Sequence, residues 1–478
     1  MPSRPRPSPK NRRPGSSAAR ACRPAFGSGG KLFIAAIGGA AASTHAAAQG
    51  FASAWQQQPL KLSLALVLAV IVLVMLAYGL RQMLYALNRV FGAQRYPYAQ
   101  MVPAQWPLVT VFIAAHNEEK VIADSMQALL QSDYPPDRLK IVVVNDRSSD
   151  RTAAIVDATV AQHPGRLHAF HRSQGKPGKA AALKDAMQHA QGDIAIIFDA
   201  DYTPGPGLLQ QLVMPFLDPE VGAVMGRVVP RNVSSNLLTR MLDMERSAGY
   251  QVDQQARMNL GGVPQFGGTV GGVRLSAVAA AGGWRDDVLA EDTDITFRLL
   301  VAGWKTVYNN RATCYEEVPE EWRVRLRQIH RWAKGHNQVL WHQTMQVVQS
   351  PVLNWRERLD GLMLLNIFLL QPLLLLGWAI ALSLYFFNGA ELLTVFIPAG
   401  LLMAHAAIGG FSAFIQMVFA VLIDGHRGRI RLLPMQMFNF VASLPTVARA
   451  LADAVIDRAL NKDLVWNKTV RYRQESGA

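Results

Sequence analysis

Nineteen consecutive residues, Leu62–Leu80, carry no charge and are rich in Leu, Val and Ile, between Lys61 and Arg81. As a helix, such a run crosses about 30 Å of hydrocarbon, so this chain is predicted to enter a membrane. Two more charge-free stretches, Gly361–Ala390 and Leu392–Ile423, are separated only by Glu391. Transmembrane helices are therefore expected over 62–80, 361–386 and 392–423. A transporter or channel would set ionisable groups within such spans, whereas the latter two stretches contain no Asp, Glu, Lys or Arg and one histidine, His405. Residues 434–458 have a helical pattern interrupted by Pro445, Arg449 and Asp453. This predicts an interfacial or re-entrant helix within a C-terminal segment of 434–478.

Charge is unevenly spread. The net charge is +14, but residues 1–31 hold eight Lys and Arg and no acid. The basic balance thus belongs largely to a Pro-, Arg- and Ser-rich tail, expected to be disordered, and nucleic-acid binding does not follow from it. Residues 32–55 are apolar but rich in Ala and Gly, and read equally as a signal peptide, a weak span or translated sequence ahead of the true start. The segment Asp424–Arg431 is strongly basic and belongs on the cytoplasmic side by the positive-inside rule. The two spans between them return the chain to the side it started from, which puts the central domain on the same side. A single N-terminal span would then leave the basic tail outside, a conflict that a cleaved signal peptide or a span within 32–55 resolves.

Residues 107–350 read as an α/β domain. Short β-branched runs (Leu108–Ala114, Ile141–Val144, Ile194–Phe198) alternate with helical patterns such as Glu118–Gln131, which implies a parallel-type sheet with crossover helices. Polar clusters follow three of the strands, where such folds bind ligands. In the first, Asn117 and Glu118 open a helix, and Asn117 serves equally as its cap. In the second, Asp146 precedes Arg147, Ser148, Ser149 and Asp150, which is also the composition of an Asx turn. In the third, Asp199 and Asp201 stand one residue apart after a strongly apolar strand. Side chains two apart on an extended segment share a face, so both carboxylates can approach one cation and the anions it bridges.

Further along, Glu291 and Asp292 open a helical stretch, where acids also favour the helix dipole. Gln328, Arg331 and Trp332 lie in a basic, aromatic helix, Trp322–Val348, whose composition equally suits a membrane surface.

The ordered set Asp146, Asp199-x-Asp201, Glu291-Asp292 and Gln328-x-x-Arg331-Trp332 resembles the membrane-embedded family 2 glycosyltransferases: cellulose, mannan, hyaluronan and poly-N-acetylglucosamine synthases. Leu238-Thr-Arg-Met, Phe266-Gly-Gly-Thr, Ala281-Gly-Gly-Trp284 and Gly303-Trp-Lys look like the mannan synthase branch, and Asn145-Asp146 like the poly-N-acetylglucosamine branch. Trp466-Asn-Lys-Thr469 with Arg471 is similar to a C-terminal signature of bacterial relatives. The chain departs from the pattern at Asn145, where some members have aspartate, and at Ala290, where threonine is usual.

The resemblance implies a GT-A fold with a parallel-type mixed sheet and flanking transmembrane helices. The implied reaction is inverting transfer of a hexose or N-acetylhexosamine from a UDP- or GDP-linked sugar to a growing β-linked polysaccharide, processively, or else to a single lipid or lipid-linked acceptor. It also implies Mg²⁺ or Mn²⁺ at Asp199 and Asp201, and Asp292 as catalytic base with Glu291 beside it. Asn117, Glu118, Asp146, Lys179, Asp199, Gln328, Arg331 and Trp332 would bind substrate, with membrane lipid and export or assembly proteins as partners. The implied location is multi-pass in a bacterial inner membrane, with the catalytic domain in the cytoplasm.

Overall fold

The computed structural model describes residues 57–460 apart from Val102 and Gly410. The expectations for residues 1–31, for 32–55 and for the C-terminal Trp466 signature lie outside the described residues. The chain divides into two units, Met1–Ser63 and Leu64–Ala478, and all contacts below belong to the second.

A long helix, α1 (Pro59–Phe91), precedes the α/β domain. The strands are β1 (Val109–Ala115), β2 (Leu139–Asp146), β3 (Leu167–Arg172), β4 (Ile194–Asp199), β5 (Thr203–Pro204), β6 (Val221–Pro230), β7 (Gly271–Arg274) and β8 (Lys305–Glu316). Among them run α2 (Ile122–Leu130), α3 (Thr152–Gln162), α4 (Lys179–Met187), α5 (Leu208–Val213), α6 (Leu237–Ser247), α7 (Gln255–Leu260), α8 (Leu275–Ala280) and α9 (Glu291–Val301). They form one sheet in the order β3-β2-β1-β4-β7-β6-β8-β5. The β1–β4 half is parallel, whereas β7 pairs antiparallel with both β4 and β6.

Alternation along the parallel strands explains the two cores. Val111, Ile113, Ile141, Val143, Ile196 and Phe198 pack on one face of the sheet, and Phe112, Val142, Val144, Ala195 and Ile197 on the other. Both faces are buried, which is why these strands read as continuous apolar runs. The order also creates a switch point: chain progression goes from β1 to β2 on one side and to β4 on the other. Crevices at the carboxyl ends of such strands are where open α/β sheets bind ligands.

After β8 come α10 (Trp322–Gln349), α11 (Trp355–Leu365), α12 (Leu370–Phe386), α13 (Ala399–Ala404), α14 (Ser412–Ile423) and α15 (Leu433–Ala459). Among the described residues three segments, Pro59–Phe91, Ile367–Phe386 and Arg427–Ala459, are long and apolar enough to cross a membrane. The 392–423 stretch, expected as one helix, is divided. Pro398 precedes the short α13, and a π-helical turn, His405–Gly409, separates it from α14. Conversely, 433–459 is one helix despite Pro445, and its two acids are paired. Asp453 lies 2.8 Å from His330 Nε2 and Asp457 pairs with Lys334, both on α10.

A buried ionic cluster joins α1 to the domain. Arg81 Nε and Nη2 donate to Asp360 Oδ1 at 3.0 and 2.8 Å, and Tyr85 Oη donates to the same oxygen at 2.6 Å. Asp360 Oδ2 accepts the Val263 backbone N–H at 2.8 Å, while Arg257 Nη1 donates to Val263 O at 3.2 Å. Asp360 and Arg81 are each 8% exposed and Arg257 is 2% exposed. Removing one partner of a buried pair typically costs about 3–5 kcal/mol. Asp360→Ala is therefore expected to lose about that much stability in denaturant titration of the detergent-solubilised protein. A loss below about 1 kcal/mol would show the cluster to be solvated.

Candidate functional site

The carboxyl ends of β1, β2 and β4 open into one cavity of about 1100 Å³. Its lining includes Glu118, Asp146, Lys179, Asp199, Asp201, Glu291, Asp292, Gln328, Arg331 and Trp332. Every candidate site residue read from the sequence except Asn117 is thus brought to one wall or another of a single space. The parallel register explains part of this, because Ala114 on β1 sits beside Asp199 on β4, and Ala115 beside Asn145 on β2.

Asn117 has another task. Its backbone is left-handed (φ 55°), a conformation asparagine tolerates better than most residues. Its N–H donates to Ser148 Oγ at 2.8 Å and its Oδ1 accepts from the Ser149 N–H at 2.7 Å. It therefore fastens the loop after β1 to the loop after β2 and is not a helix cap, since α2 begins only at Ile122. Next to it, the Glu118 N–H donates to Thr152 Oγ1 at 2.8 Å, leaving the Glu118 side chain on the buried edge of the cavity.

Asp146 organises a glycine-containing turn. Its Oδ1 accepts from Arg172 Nη1 (2.9 Å) and Arg147 Nε (3.0 Å), and its Oδ2 accepts the Gly178 N–H (2.9 Å). Arg172 also donates to Lys176 O at 2.7 Å, so the 173–178 segment is held from both ends. That restraint sets the start of α4 and with it Lys179.

Lys179 Nζ lies 2.6 Å from Asp199 Oδ1 and donates to Gly268 O at 2.8 Å. Gly268 is itself in the left-handed region (φ 71°), and a Cβ there would sit 3.1 Å from the Asp292 Cβ. The small residue lets the 261–269 loop approach the acids. Glu291 and Asp292 occupy the first turn of α9, where Asp292 Oδ1 accepts the Thr293 N–H at 2.6 Å.

Both carboxylates keep some exposure to the cavity, yet dense surroundings raise their pKa values. Burial and the neighbouring Asp292 push Glu291 up to about 7, against the pull of Lys179 and Arg331. Burial also raises Asp292, opposed by its bonds to Thr293 and by Lys179 and Arg331. Two adjacent acids with elevated proton affinity in a cleft are what a general base near neutral pH requires.

The opposite chemistry comes from α6 and α10. Arg246 and Arg325 lie over the Trp332 ring at 5.1 and 5.5 Å from its centroid. Arg246 Nε donates to Glu316 Oε1 (2.5 Å), and Tyr202 Oη donates to Glu316 Oε2 (2.9 Å). Arg325 donates to Gln328 Oε1 at 3.0 Å and pairs with Glu245. Sequence reading missed Arg172, Tyr202, Arg246, Glu316 and Arg325. Arg325 alone carried a signal, since it stands seven residues before Trp332 on the same face of one helix.

The aspartates also suit a hard cation. Among the described residues no three His, Cys, Asp or Glu side chains gather to hold a metal by themselves. Two carboxylates one residue apart are a donor set for an oxygen-seeking dication completed by substrate phosphates. That Asp199 accepts the Lys179 ammonium shows that this wall already draws positive charge.

Residues 106–335 match the family model described as Glycosyltransferase like family 2. A probable glycosyltransferase of Bacillus subtilis, YdaM, is 36% identical over 237 residues, covering 49% of this chain and 56% of the relative. Probable glucomannan 4-beta-mannosyltransferase 1 of Arabidopsis thaliana is 33% identical over 264 residues (53% and 48%). Beta-monoglucosyldiacylglycerol synthase of Synechocystis is 34% identical over 277 residues (58% and 56%). The chain spans about half the length of the curated relatives it matches. In fold it is similar to the mannosyltransferase PcManGT from Pyrobaculum calidifontis, solved with GDP-Man and Mn²⁺ (TM-score 0.56, 22% identity, 84% of this chain and 100% of that one). The matched residues and the sheet order together mean that the chain carries a glycosyltransferase family 2 domain with the GT-A fold.

Proposed function

We propose that the chain is a membrane-bound inverting glycosyltransferase that moves a hexosyl or N-acetylhexosaminyl unit from a UDP- or GDP-linked sugar to an acceptor hydroxyl. The observation that carries this reading is the Glu291–Asp292 pair, proton-hungry and sharing one cavity with Asp199, Asp201 and the cations Lys179 and Arg331.

In this reading the acceptor oxygen attacks the anomeric carbon on the face opposite the diphosphate. The bond to the diphosphate oxygen breaks with its electron pair, and the hydroxyl proton passes to Asp292. Arg331 offers a fork of donors to the departing diphosphate. Asp146 and Glu118 hold the nucleoside, and Trp332 supports the acceptor. A divalent cation, Mg²⁺ or Mn²⁺, would be held by Asp199 and Asp201 and supplies charge that offsets the diphosphate. Two acceptor classes are compatible with this chemistry, a growing β-linked polysaccharide and a single lipid.

A cytoplasmic location for the domain is supported by the basic 424–431 segment. Asp424 accepts from Arg227 at 2.7 Å and Arg429 pairs with Asp243, so this segment and the domain share one side of any bilayer. Ser173→Cys, on an exposed loop, is expected to react with a membrane-impermeant maleimide only after cells are permeabilised. Labelling in intact cells would reverse the orientation.

Asp201→Asn is expected to abolish sugar transfer, and EDTA to do the same to the native protein, with recovery on adding Mg²⁺ or Mn²⁺. Nucleotide release is the readout, and full turnover in excess chelator would exclude the cation.

Asp292→Asn should lower turnover by about 10²–10⁴-fold at nearly unchanged nucleotide affinity. Trp332→Ala should instead spare donor hydrolysis and lose transfer. The native kcat/KM should fall as pH drops through about 7, because the acid pair gains a proton there. Glu291→Gln removes the neighbouring negative charge, lowers the proton affinity of Asp292 and so should move that limb to lower pH. An unmoved limb would assign the titration elsewhere.

A further inference from the structure

Asp201 and Trp332 stand at the two ends of a chain of contacts that runs through one buried carboxylate, Glu316. Tyr202, the residue after Asp201, donates from Oη to Glu316 Oε2 at 2.9 Å. Arg246 Nε donates to Glu316 Oε1 at 2.5 Å, and its guanidinium lies 5.1 Å from the centroid of the Trp332 ring. Strand pairing reinforces the first half of this chain. β5 runs antiparallel to β8 with Thr203 opposite Tyr315, and the Glu317 N–H donates to Asp201 Oδ2 at 3.4 Å. The second half answers a problem of like charge. Arg246 and Arg325 share the Trp332 ring, and two guanidiniums so placed repel unless each has its own carboxylate. Arg325 pairs with Glu245, and Arg246 with Glu316. Glu316 is 8% exposed, and Asp201, Tyr202, Arg246, Glu316 and Trp332 all line the one cavity.

We propose that Glu316 is a positioning residue for sugar transfer. It fixes the acceptor platform at Trp332 against the cation-holding carboxylate Asp201, so that an activated donor meets an acceptor and is not spent on water. This rests on the transfer reading above and concerns the same site. Glu316 touches neither substrate in this role; its two oxygens act through Tyr202 on one side and Arg246 on the other. Removing the carboxylate leaves a buried hydroxyl and a guanidinium without their acceptor, and each then turns to whatever partner it can reach. Glutamine keeps the bridge. Its carbonyl oxygen accepts from Arg246, while its amide donates to Tyr202 Oη, since a hydroxyl both gives and takes hydrogen bonds.

The full chain is reconstituted into vesicles of a bacterial total lipid extract, and radiolabelled UDP-glucose, UDP-N-acetylglucosamine and GDP-mannose are offered in turn. With the donor that turns over, label incorporated into lipid or polymer is divided by nucleotide released. Binding of Mn²⁺ in the presence of the matching nucleoside diphosphate is read separately, from loss of the free-ion EPR signal. Glu316→Ala is expected to lower incorporation per nucleotide released by about tenfold and to weaken Mn²⁺ binding by a similar factor, as the loss of a bond to a charged group implies. Glu316→Gln should stay within about threefold of the native protein on both counts. The two arms should separate: Tyr202→Phe weakens Mn²⁺ binding and keeps the ratio, whereas Arg246→Gln lowers the ratio and keeps Mn²⁺ binding. Release and incorporation falling together in Glu316→Ala, at an unchanged ratio, would mark a merely structural residue and overturn the proposal. A Glu316→Gln variant as impaired as Glu316→Ala would overturn it too, because the bridge it preserves would then be irrelevant. Should Glu316→Ala fail to fold, the single-arm variants decide, and the proposal falls if neither arm moves alone. Native protein that releases nucleotide and incorporates no label would also contradict the coupling while leaving donor activation intact. No nucleotide release with any donor would sink the transfer reading itself, and this proposal with it.

Discussion

Lys179 is the cation on which the acidic wall of this cavity depends. Asp199, Asp201, Glu291 and Asp292 all line one space, and carboxylates crowded away from water repel one another unless positive charge stands among them. Burial works against a charged lysine, but Asp199, Glu291 and Asp292 together hold its pKa above the ordinary range. Its contacts with Asp199 and Gly268 O also join three segments: the start of α4, the end of β4 and the loop before β7. The same charge limits how far the pKa values of the Glu291–Asp292 pair rise.

That loop, 261–269, links the apolar helix α1 to the acids. Asp360 and Arg257 hold Val263 from one side. Gln265 Nε2 donates to Thr293 Oγ1 at 2.9 Å and the Phe266 N–H to Thr296 Oγ1 at 3.1 Å, tying the loop to α9. Arg81 on α1 is bound to the same Asp360. The apolar helix α1 thus helps to fix the loop that supports Lys179 and packs on Asp292.

Much of this was legible in the sequence where local pattern decides structure. The strands announce themselves because both faces are buried, and Asp199-x-Asp201 stands out because acids directly after such a strand have few structural uses. What was not legible depends on long-range contact. Arg172 reaches Asp146 across 26 positions and Tyr202 reaches Glu316 across 114, and no spacing rule links them. Asn117 sat in a position whose residue type suited a cap, and only the pairing of two loops shows that it fastens them together instead. The 392–423 stretch is uniformly apolar, so hydropathy could not reveal the break after Pro398 or the π-helical turn at His405.

The central claim is a single displacement in which Asp292 takes the acceptor proton on the face away from the leaving diphosphate. The configuration of the product's anomeric carbon, read by NMR after transfer from an α-linked nucleotide sugar, tests it most directly. The account predicts inversion, a β-linked product. A retained α-linkage would contradict it, because retention requires a different attack geometry and removes the role assigned to the Glu291–Asp292 pair.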